Sequence, residues 1–295
     1  MSRYRFIAAE KDNHPVRIMC RVLEVSPSGY YAWRDRQVSE RARSDAELAE
    51  RIRRIHRDSR GTYGAPRVRA ALAVEGVHAS RKRVARLMRE QGLCGARRPR
   101  RRVKTTVVEP GAPVAPNLVE RNFRPGAINA LWAADITYVP TREGWLYLAS
   151  ILDCHSRRVA GWAMADHLRT ELALGALSMA LQRTRPARGR LIHHSDRGCQ
   201  YTSGAYQAML SEHGITASMS RSGEPLDNAV AESFFATLKA ELVKDRIWDS
   251  REQAAQAIFE WIEVFYNRKR LHSSLGYLTP TQFEEIERAE EMASD

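Results

Sequence analysis

The sequence predicts an α/β domain preceded by an all-α, strongly basic region, and two observations support this division. Residues 1–104 hold 27 Lys and Arg against 11 Asp and Glu, whereas residues 105–295 hold 20 against 24. Apolar residues recur at helical spacing in the first part, whereas β-branched and aromatic runs of strand length begin near residue 131. Since 43% of the 295 residues are apolar, the chain can bury a sizeable core.

The composition also limits the class of function. A net charge of +12 favours a polyanionic partner, and nucleic acid is the commonest one for a basic protein. No apolar run approaches the roughly 20 residues of a membrane span, and the first residues predict no secretory signal. The four cysteines are far apart in sequence, which excludes a dense disulfide framework and suits a reducing cytoplasm.

The basic part is predicted to form two helix-turn-helix-like segments, 1–60 and 61–104. In the first, helical spacing over 16–23 stops at a Ser-Pro-Ser-Gly turn, and a short apolar run follows at 30–33. A charged helix is predicted over 44–60. These elements alone would also fit an amphipathic bundle with a solvated basic face.

The second segment favours DNA binding more strongly. Pro66 suits the start of one helix, and Ser80 is placed to cap the next. In that second helix Val84 and Leu87 are predicted to face inward, whereas the basic residues face outward: Arg81, Lys82, Arg83, Arg86 and Arg89. The basic run at 97–104 contains no acid, so two helical pairs and this run together predict a DNA-binding region.

The second part is predicted to contain a linker at 105–125, a core at 126–250 and a helical extension at 251–295. The core begins with three strands whose short connections favour antiparallel pairing. The predicted strands and helices follow in chain order: strands at 131–140, 145–153 and 158–164, a helix at 170–183, a strand at 191–194, a helix at 203–213, a strand at 215–219 and a helix at 228–243. The order β-β-β-α-β-α-β-α is that of the ribonuclease-H-like fold.

Three carboxylates occupy positions in this core that point to chemistry. Asp135 lies in the middle of the first strand, where a carboxylate is costly unless something compensates it. Asp196 follows the fourth strand, and Glu232 lies one turn into the last helix, for which Asp227 and Asn228 are predicted as the N-cap. One such acid alone would be read as a cap, a turn residue or an ion-pair partner, but the three together favour a metal site.

Carboxylates that are brought together repel one another and therefore need cations. Oxygen ligands suit Mg²⁺ or Mn²⁺, and two such ions can hold the attacking and leaving oxygens of a phosphodiester. Asp135, Asp196 and Glu232 are therefore predicted to be both the metal ligands and the catalytic residues.

Two other groups of residues are given structural interpretations. His193 and His194 near Cys199 could suggest zinc, but a second ligand pair is missing, and strand-end histidines beside the site explain them better. The tryptophans are predicted to lie in the core: Trp132, Trp145, Trp162 and Trp261.

Several sequence blocks resemble those of integrase-like DDE transposases. The three catalytic blocks are WAADITY at 132–138, HSDRGCQYTS at 194–203 and SGEPLDNAVAES at 222–233, with 35 residues between the second and third acids. Further similarity lies in YYAW at 30–33, in Tyr63-Gly64, in FYNRKRLHSSLGY at 265–277 and in the Thr-Pro pair that follows it. The chain most resembles the second-reading-frame product of the IS3 family of insertion sequences, over nearly its whole length.

The resemblance implies a retroviral-integrase-like catalytic core that cleaves DNA at the ends of a mobile element and joins the ends to a target. Asp135, Asp196 and Glu232 would hold two Mg²⁺ or Mn²⁺ ions, and Lys239, seven residues after Glu232, would contact DNA near the reacting phosphate. It also implies a bacterial, cytoplasmic, nucleoid-associated protein that acts as a homo-oligomer on the terminal repeats and on target DNA. An upstream-frame protein or fusion would supply a further helix-turn-helix and a leucine zipper, since this sequence shows no heptad run.

An alternative role for Lys239 is a surface ion pair with Glu241 or Asp245. Alternative functions for the protein are a metal nuclease that does not join ends and a non-catalytic DNA-binding regulator of transposition. The intact acid trio argues against the regulator. The residues predicted to contact DNA are Lys239, Arg81, Lys82, Arg83, Arg86, Arg97, Arg98, Arg100, Arg101, Arg102, Arg268, Lys269 and Arg270.

Overall fold

The computed structural model describes residues 2–37, 39–96, 114–221, 224–244 and 246–294. The predicted DNA-binding residues Arg97, Arg98, Arg100, Arg101 and Arg102 lie outside the described residues, as do residues 105–113 of the predicted linker. The chain divides into two compact units, Met1–Ile52 and Arg53–Asp295. The bounds of the five predicted segments stay a prediction.

The N-terminal unit contains α1 (Arg3–Glu10), α2 (Val16–Val22) and α3 (Pro27–Arg34), and the unit boundary falls within α4 (Glu40–Asp58). Helices α2, α3 and α4 confirm the predicted helices. In the turn between α2 and α3, the Ser26 hydroxyl accepts the N–H of Gly29 at 2.9 Å and caps α3. Helix α1 is not among the predicted helices. Ile7 is its single buried residue, so its sequence shows no apolar repeat at helical spacing.

In the second unit, α5 (Ala65–Val74) and α6 (Arg81–Glu90) confirm the second predicted helical pair. The Ser80 hydroxyl caps α6 by accepting the N–H of Arg83 at 3.2 Å. Val84 and Leu87 are buried on the inner face of α6, as their spacing predicts.

A five-stranded sheet forms the centre of this unit, with the strand order β3-β2-β1-β4-β5. Strands β1, β2 and β3 are consecutive antiparallel neighbours, whereas β4 and β5 run parallel to β1. The bounds are Leu131–Thr141, Gly144–Asp153, Val159–Ala165, Ile192–Ser195 and Thr216–Met219. This topology confirms the predicted ribonuclease-H-like fold.

Helices cover the sheet. Helix α7 (Thr170–Thr184) packs on β2 and β3, and α10 (Ala229–Leu238) packs on β1 and β2 and continues as a wider turn over Lys239–Val243. The remaining helices are α8 (Cys199–Thr202), α9 (Gly204–Glu212), α11 (Arg251–Glu260) and α12 (Pro280–Ser294). Helices α11 and α12 lie within the predicted C-terminal extension at 251–295, which itself stays a prediction. Within the described ranges, no helix combines the length and the apolar character needed to cross a bilayer.

Candidate active site

Asp135 lies within β1 and Asp196 directly follows β4, and both lie just beyond the parallel pairing of these two strands. The pairing of β1 with β4 ends at Ala133 and His194, and each aspartate lies two residues beyond that pair. Side chains that follow adjacent parallel strands meet at one edge of a sheet. Both aspartates accordingly line one open cleft, together with Tyr138 and residues of the same edge.

The charges of the predicted acid trio converge on Asp135. This half-buried carboxylate accepts the N–H of Ile136 at 2.8 Å. Burial, then the negative charge of Asp196 and then that of Glu232, raise the pKa of Asp135 well above its ordinary value, whereas the Lys239 ammonium lowers it. A cation placed here would relieve that repulsion.

Glu232 stands at the margin of this arrangement. It lies in the first turn of α10 and is half-buried, but it is not among the described residues that line the cleft. In the described part of the chain, no three His, Cys, Asp or Glu side chains are arranged so that they could hold a metal ion. The structure therefore brings Asp135 and Asp196 together, with Glu232 close enough to act on Asp135 through its charge.

The predicted side-chain N-cap of α10 is wrong. Asn228 occupies the N-cap position but makes no capping hydrogen bond. Its Nδ2 instead donates to the carbonyl of Ala134 at 3.1 Å, and its Oδ1 is buried without a partner among the described residues. The start of the Glu232 helix is thus bonded to the strand position just before Asp135.

Asp227 anchors the turn before α10 rather than capping the helix. Its fully buried carboxylate accepts bonds from Arg221 at 2.9 and 3.1 Å, from Arg121 at 3.0 Å and from Asn117 at 3.0 Å. Hydrogen bonds from Arg221, helped by Arg121, hold the pKa of Asp227 below its ordinary value. Its backbone carbonyl lies 2.7 Å from Nε2 of His194.

The two histidines have buried structural roles, as the sequence favours. His193 Nε2 lies 2.9 Å from the Tyr206 hydroxyl, and burial lowers the pKa of His193 to about 3, so its ring is neutral. His194 Nδ1 lies 2.8 Å from the hydroxyl of Ser218. Both rings therefore support the strand that Asp196 directly follows.

Lys239 is the first residue of the wide turn that follows α10. Its Nζ lies 5.3 Å from the centroid of the Tyr138 ring. Burial lowers the pKa of Lys239, whereas the charge of Asp135 raises it. Glu241, one of its alternative partners, pairs with Arg270 instead, and the other, Asp245, lies outside the described residues.

Arg270 does not fit its predicted DNA contact. Its side chain is 5% exposed and pairs with Glu241, which is 4% exposed, at 2.7 Å. Its neighbours Arg268 and Lys269 are exposed, so the structure leaves those two available to DNA. A buried, paired guanidinium is a structural element and not a phosphate contact.

The basic residues of α6 differ in exposure. Arg81 and Lys82 are exposed, whereas Arg83 and Arg86 are half-buried. Arg86 also pairs with Glu90 at 2.9 Å. The exposed pair is therefore better placed for phosphate than the half-buried one.

The predicted burial of the tryptophans holds for two of the four. Trp132 and Trp261 are fully buried. Trp162 is half-buried, and its Nε1 donates to Glu263 at 2.7 Å. Trp145 is 48% exposed, so its prediction as a core residue is wrong.

Comparison with known families agrees with this architecture. Residues 43–102 match the HTH-like domain family, residues 126–225 match an integrase core domain family, and residues 213–280 match a second integrase core domain family. The first match covers α5 and α6, and the other two cover the sheet with the positions of Asp135, Asp196 and Glu232.

Whole-length relatives extend these matches. The chain is 45% identical over 268 residues to the insertion element IS600 uncharacterized 31 kDa protein of Shigella sonnei, covering 90% of this chain and 97% of that one. It is 40% identical over 284 residues to the transposase InsF for insertion sequence IS3A of Escherichia coli, covering 96% and 98%. It is 41% identical over 237 residues to the transposase for insertion sequence element IS904 of Lactococcus lactis, covering 80% and 93%. The chain therefore belongs to the IS3 family of insertion-sequence transposases, with an HTH-like domain and an integrase core that act on DNA.

Proposed function

We propose that Asp135, Asp196 and Glu232 are the catalytic acids with which this transposase cleaves the ends of its element and joins them to target DNA. The observation that supports this assignment is that the negative charges of Asp196 and Glu232 both act on Asp135, beside the ammonium of Lys239. Such a cluster is unfavourable for the fold itself, which favours a role in chemistry.

Divalent metal suits the oxygen donors of this cluster, although the three described side chains do not surround one common point. The three acids would hold two Mg²⁺ or Mn²⁺ ions. These ions would offset the negative charge that develops on the phosphodiester oxygens. Asp135 and Asp196 are the first ligands to consider because they share the cleft, and Glu232 would complete the set.

The chain's own residues would place the DNA for two displacement reactions. In the first, a water oxygen attacks the phosphorus and the bond to the 3′ oxygen breaks, which leaves a 3′-hydroxyl on the element end. In the second, that hydroxyl attacks a phosphodiester of the target, and its own P–O bond forms as another 3′ oxygen leaves. Lys239 would hold a phosphate oxygen beside Asp135 through both steps.

An in vitro reaction tests the assignment of function. The full chain is incubated with labelled end DNA and a target plasmid, with Mg²⁺, with Mn²⁺ or with a chelator. We expect 3′-hydroxyl ends and joined products that depend on the metal. Cleavage without joining would instead identify a metal nuclease, and binding without cleavage would identify a regulator.

The proposal also covers the oligomeric state of the protein, its protein partner and its location in the cell. The chain would act as a homo-oligomer on its terminal repeats and target DNA, with an upstream-frame helix-turn-helix and leucine-zipper protein, separate or fused. The site of action would be the bacterial cytoplasm, on the nucleoid.

Lys239→Ala is expected to lower end cleavage and joining severalfold or more, because the phosphate loses an ammonium beside Asp135. Lys239→Arg should retain much of both activities, and neither variant should change the thermal midpoint appreciably, since Nζ makes no buried ion pair with Glu241. Product formation on short end DNA at moderate salt is the measurement, with Arg188→Ala, an exposed cation outside the basic region, as the control. Unchanged activity in Lys239→Ala would place this lysine outside the DNA interface.

DNA affinity is expected to depend on the basic region and to fall steeply with salt. Replacing Arg81 and Lys82 by Gln should reduce the log–log salt slope by about 0.9 for each phosphate contact that is lost. Fluorescence anisotropy of labelled end DNA over a salt series measures the slope. The exposed Arg188→Gln is the control, because it lies in the acidic part of the chain. An unchanged slope in the double variant would exclude this face of α6 from the phosphate contacts.

A further inference from the structure

An exposed indole stands next to the acid cleft. Trp145 is 48% exposed at the start of β2. Its ring centroid lies 4.7 Å from that of Tyr138, at an interplanar angle of 74°. Tyr138 itself lines the cleft together with Asp135 and Asp196. The indole therefore borders the cleft from the side of the β1–β2 hairpin.

The backbone under this indole is held in place. The Thr141 hydroxyl donates to the carbonyl of Gly144 at 2.6 Å, which closes the hairpin turn. The Arg251 guanidinium donates to the carbonyl of Trp145 at 3.0 Å, and the N–H of Arg251 donates to Glu143 at 2.9 Å. A large aromatic face is thus presented to solvent from an anchored main chain, so little conformational freedom is lost when a ligand covers it.

Tyr138 links this aromatic face to a cation. The Lys239 ammonium lies 5.3 Å from the centroid of the Tyr138 ring, and Trp145 contacts the same ring edge-on. The Tyr138 ring, which lines the cleft with two carboxylates, is therefore contacted by both an exposed indole and an ammonium. A nucleotide presents the matching groups, since its base stacks on aromatic rings and its phosphate binds cations.

We propose that Trp145 is a stacking platform for the nucleobase that adjoins the cleaved phosphate, while Lys239 binds that phosphate. The inference rests on the proposed function, which brings the DNA end into the cleft. Stacking requires an unpaired or partly opened base, so the terminal base pairs of the element would open when the end binds. Every base has a π-face, so the platform would tolerate different end sequences.

A fluorescent base tests the platform directly. End DNA carries 2-aminopurine next to the phosphate that the cleavage assay identifies, and binding by the full chain is followed in Ca²⁺, without reliance on catalysis. We expect the emission to be quenched on binding, and the quenching to be lost in Trp145→Ala and largely kept in Trp145→Phe. The matched control is Phe259→Ala, because Phe259 is also 48% exposed but packs on Trp162, and neither of these two residues lines the cleft.

Affinity for end DNA gives a second readout. Trp145→Ala should weaken binding by about 5- to 150-fold on intact end DNA, the range that loss of one base–aromatic stack corresponds to. On DNA with an abasic site at the same position, wild type and Trp145→Ala should bind equally. A matching thermal midpoint shows that the variant is folded.

Two results would overturn the platform. One is full quenching in Trp145→Ala, and the other is an equal loss of affinity for intact and abasic DNA. If the wild-type protein still cleaves and joins end DNA, either result would reject the role of Trp145 and leave the proposed function intact. If binding by the wild-type protein quenches 2-aminopurine emission but no product forms, the proposed function would be rejected and the stacking role of Trp145 retained.

Discussion

Asp135→Asn, Asp196→Asn and Glu232→Gln are each expected to abolish cleavage and joining while the fold stays intact. Each change keeps the shape of the side chain but removes a charge that a divalent cation requires. Asp135→Asn should not lower the free energy of unfolding, because burial and the charges of Asp196 and Glu232 already disfavour its ionised form. Gel assays of labelled end DNA measure the activity, and thermal unfolding measures the fold.

The control for this set is Glu212→Gln, an exposed acid on α9, which should leave both activities unchanged. Calorimetric titration with Mn²⁺ separates metal binding from chemistry, and each of the three variants should bind the ion more weakly. Glu232→Gln is the most discriminating variant, since Glu232 does not line the cleft with the two aspartates. Joining at the wild-type level by any one variant would remove that residue from the catalytic set.

The sheet was predictable because its signals are local. Strand β1 is rich in β-branched and aromatic residues, β2 is largely apolar, and the short turn between them favours antiparallel pairing. The two aspartates were predictable for the same reason: one lies within a strand and the other directly follows one. Their meeting at one sheet edge then follows from the parallel pairing of β1 and β4.

Residues whose role depends on a distant partner were not predictable. Asn228 and Asp227 read as caps because they precede a helix, but the strand carbonyl of Ala134 and two arginines compete for them. Trp145 reads as core by its residue type, although its position at the hairpin tip leaves it at the surface. In each case tertiary contacts overrule a local preference.

The Arg270–Glu241 pair shows the same limit and leads to a stability prediction. The sequence places Arg270 in a basic triplet typical of a phosphate contact, yet the structure buries it against Glu241, with which it forms bonds of 2.7, 2.9 and 3.1 Å. The Tyr63 hydroxyl donates to the carbonyl of Lys269 at 3.1 Å and accepts the N–H of Leu271 at 2.7 Å. The segment on both sides of Arg270 is thus pinned from the HTH-like part of the unit.

Arg270→Ala is therefore expected to lower the free energy of unfolding by about 3–5 kcal/mol, because it leaves the Glu241 carboxylate buried and unpaired. Adding Glu241→Gln should recover a large part of that loss, since a neutral amide costs less to bury than a lone charge. Urea unfolding followed by circular dichroism measures both variants. The exposed neighbour variant Arg268→Ala is the control and should change stability by no more than about 0.5 kcal/mol.

The stability prediction would be wrong if Arg270→Ala were as stable as the wild-type protein and its log–log salt slope for end DNA fell by about 0.9. That result would assign Arg270 to a phosphate contact, as the sequence predicts. We expect that slope change in Arg268→Ala instead, because the exposed guanidinium is the one that a phosphate can reach.

The Arg270–Glu241 pair is also expected to affect the reaction, because Glu241 lies in the turn that begins at Lys239. Loss of the pair should therefore lower joining by more than the unfolded fraction explains, and Glu241→Gln in the Arg270→Ala background should restore stability without fully restoring joining.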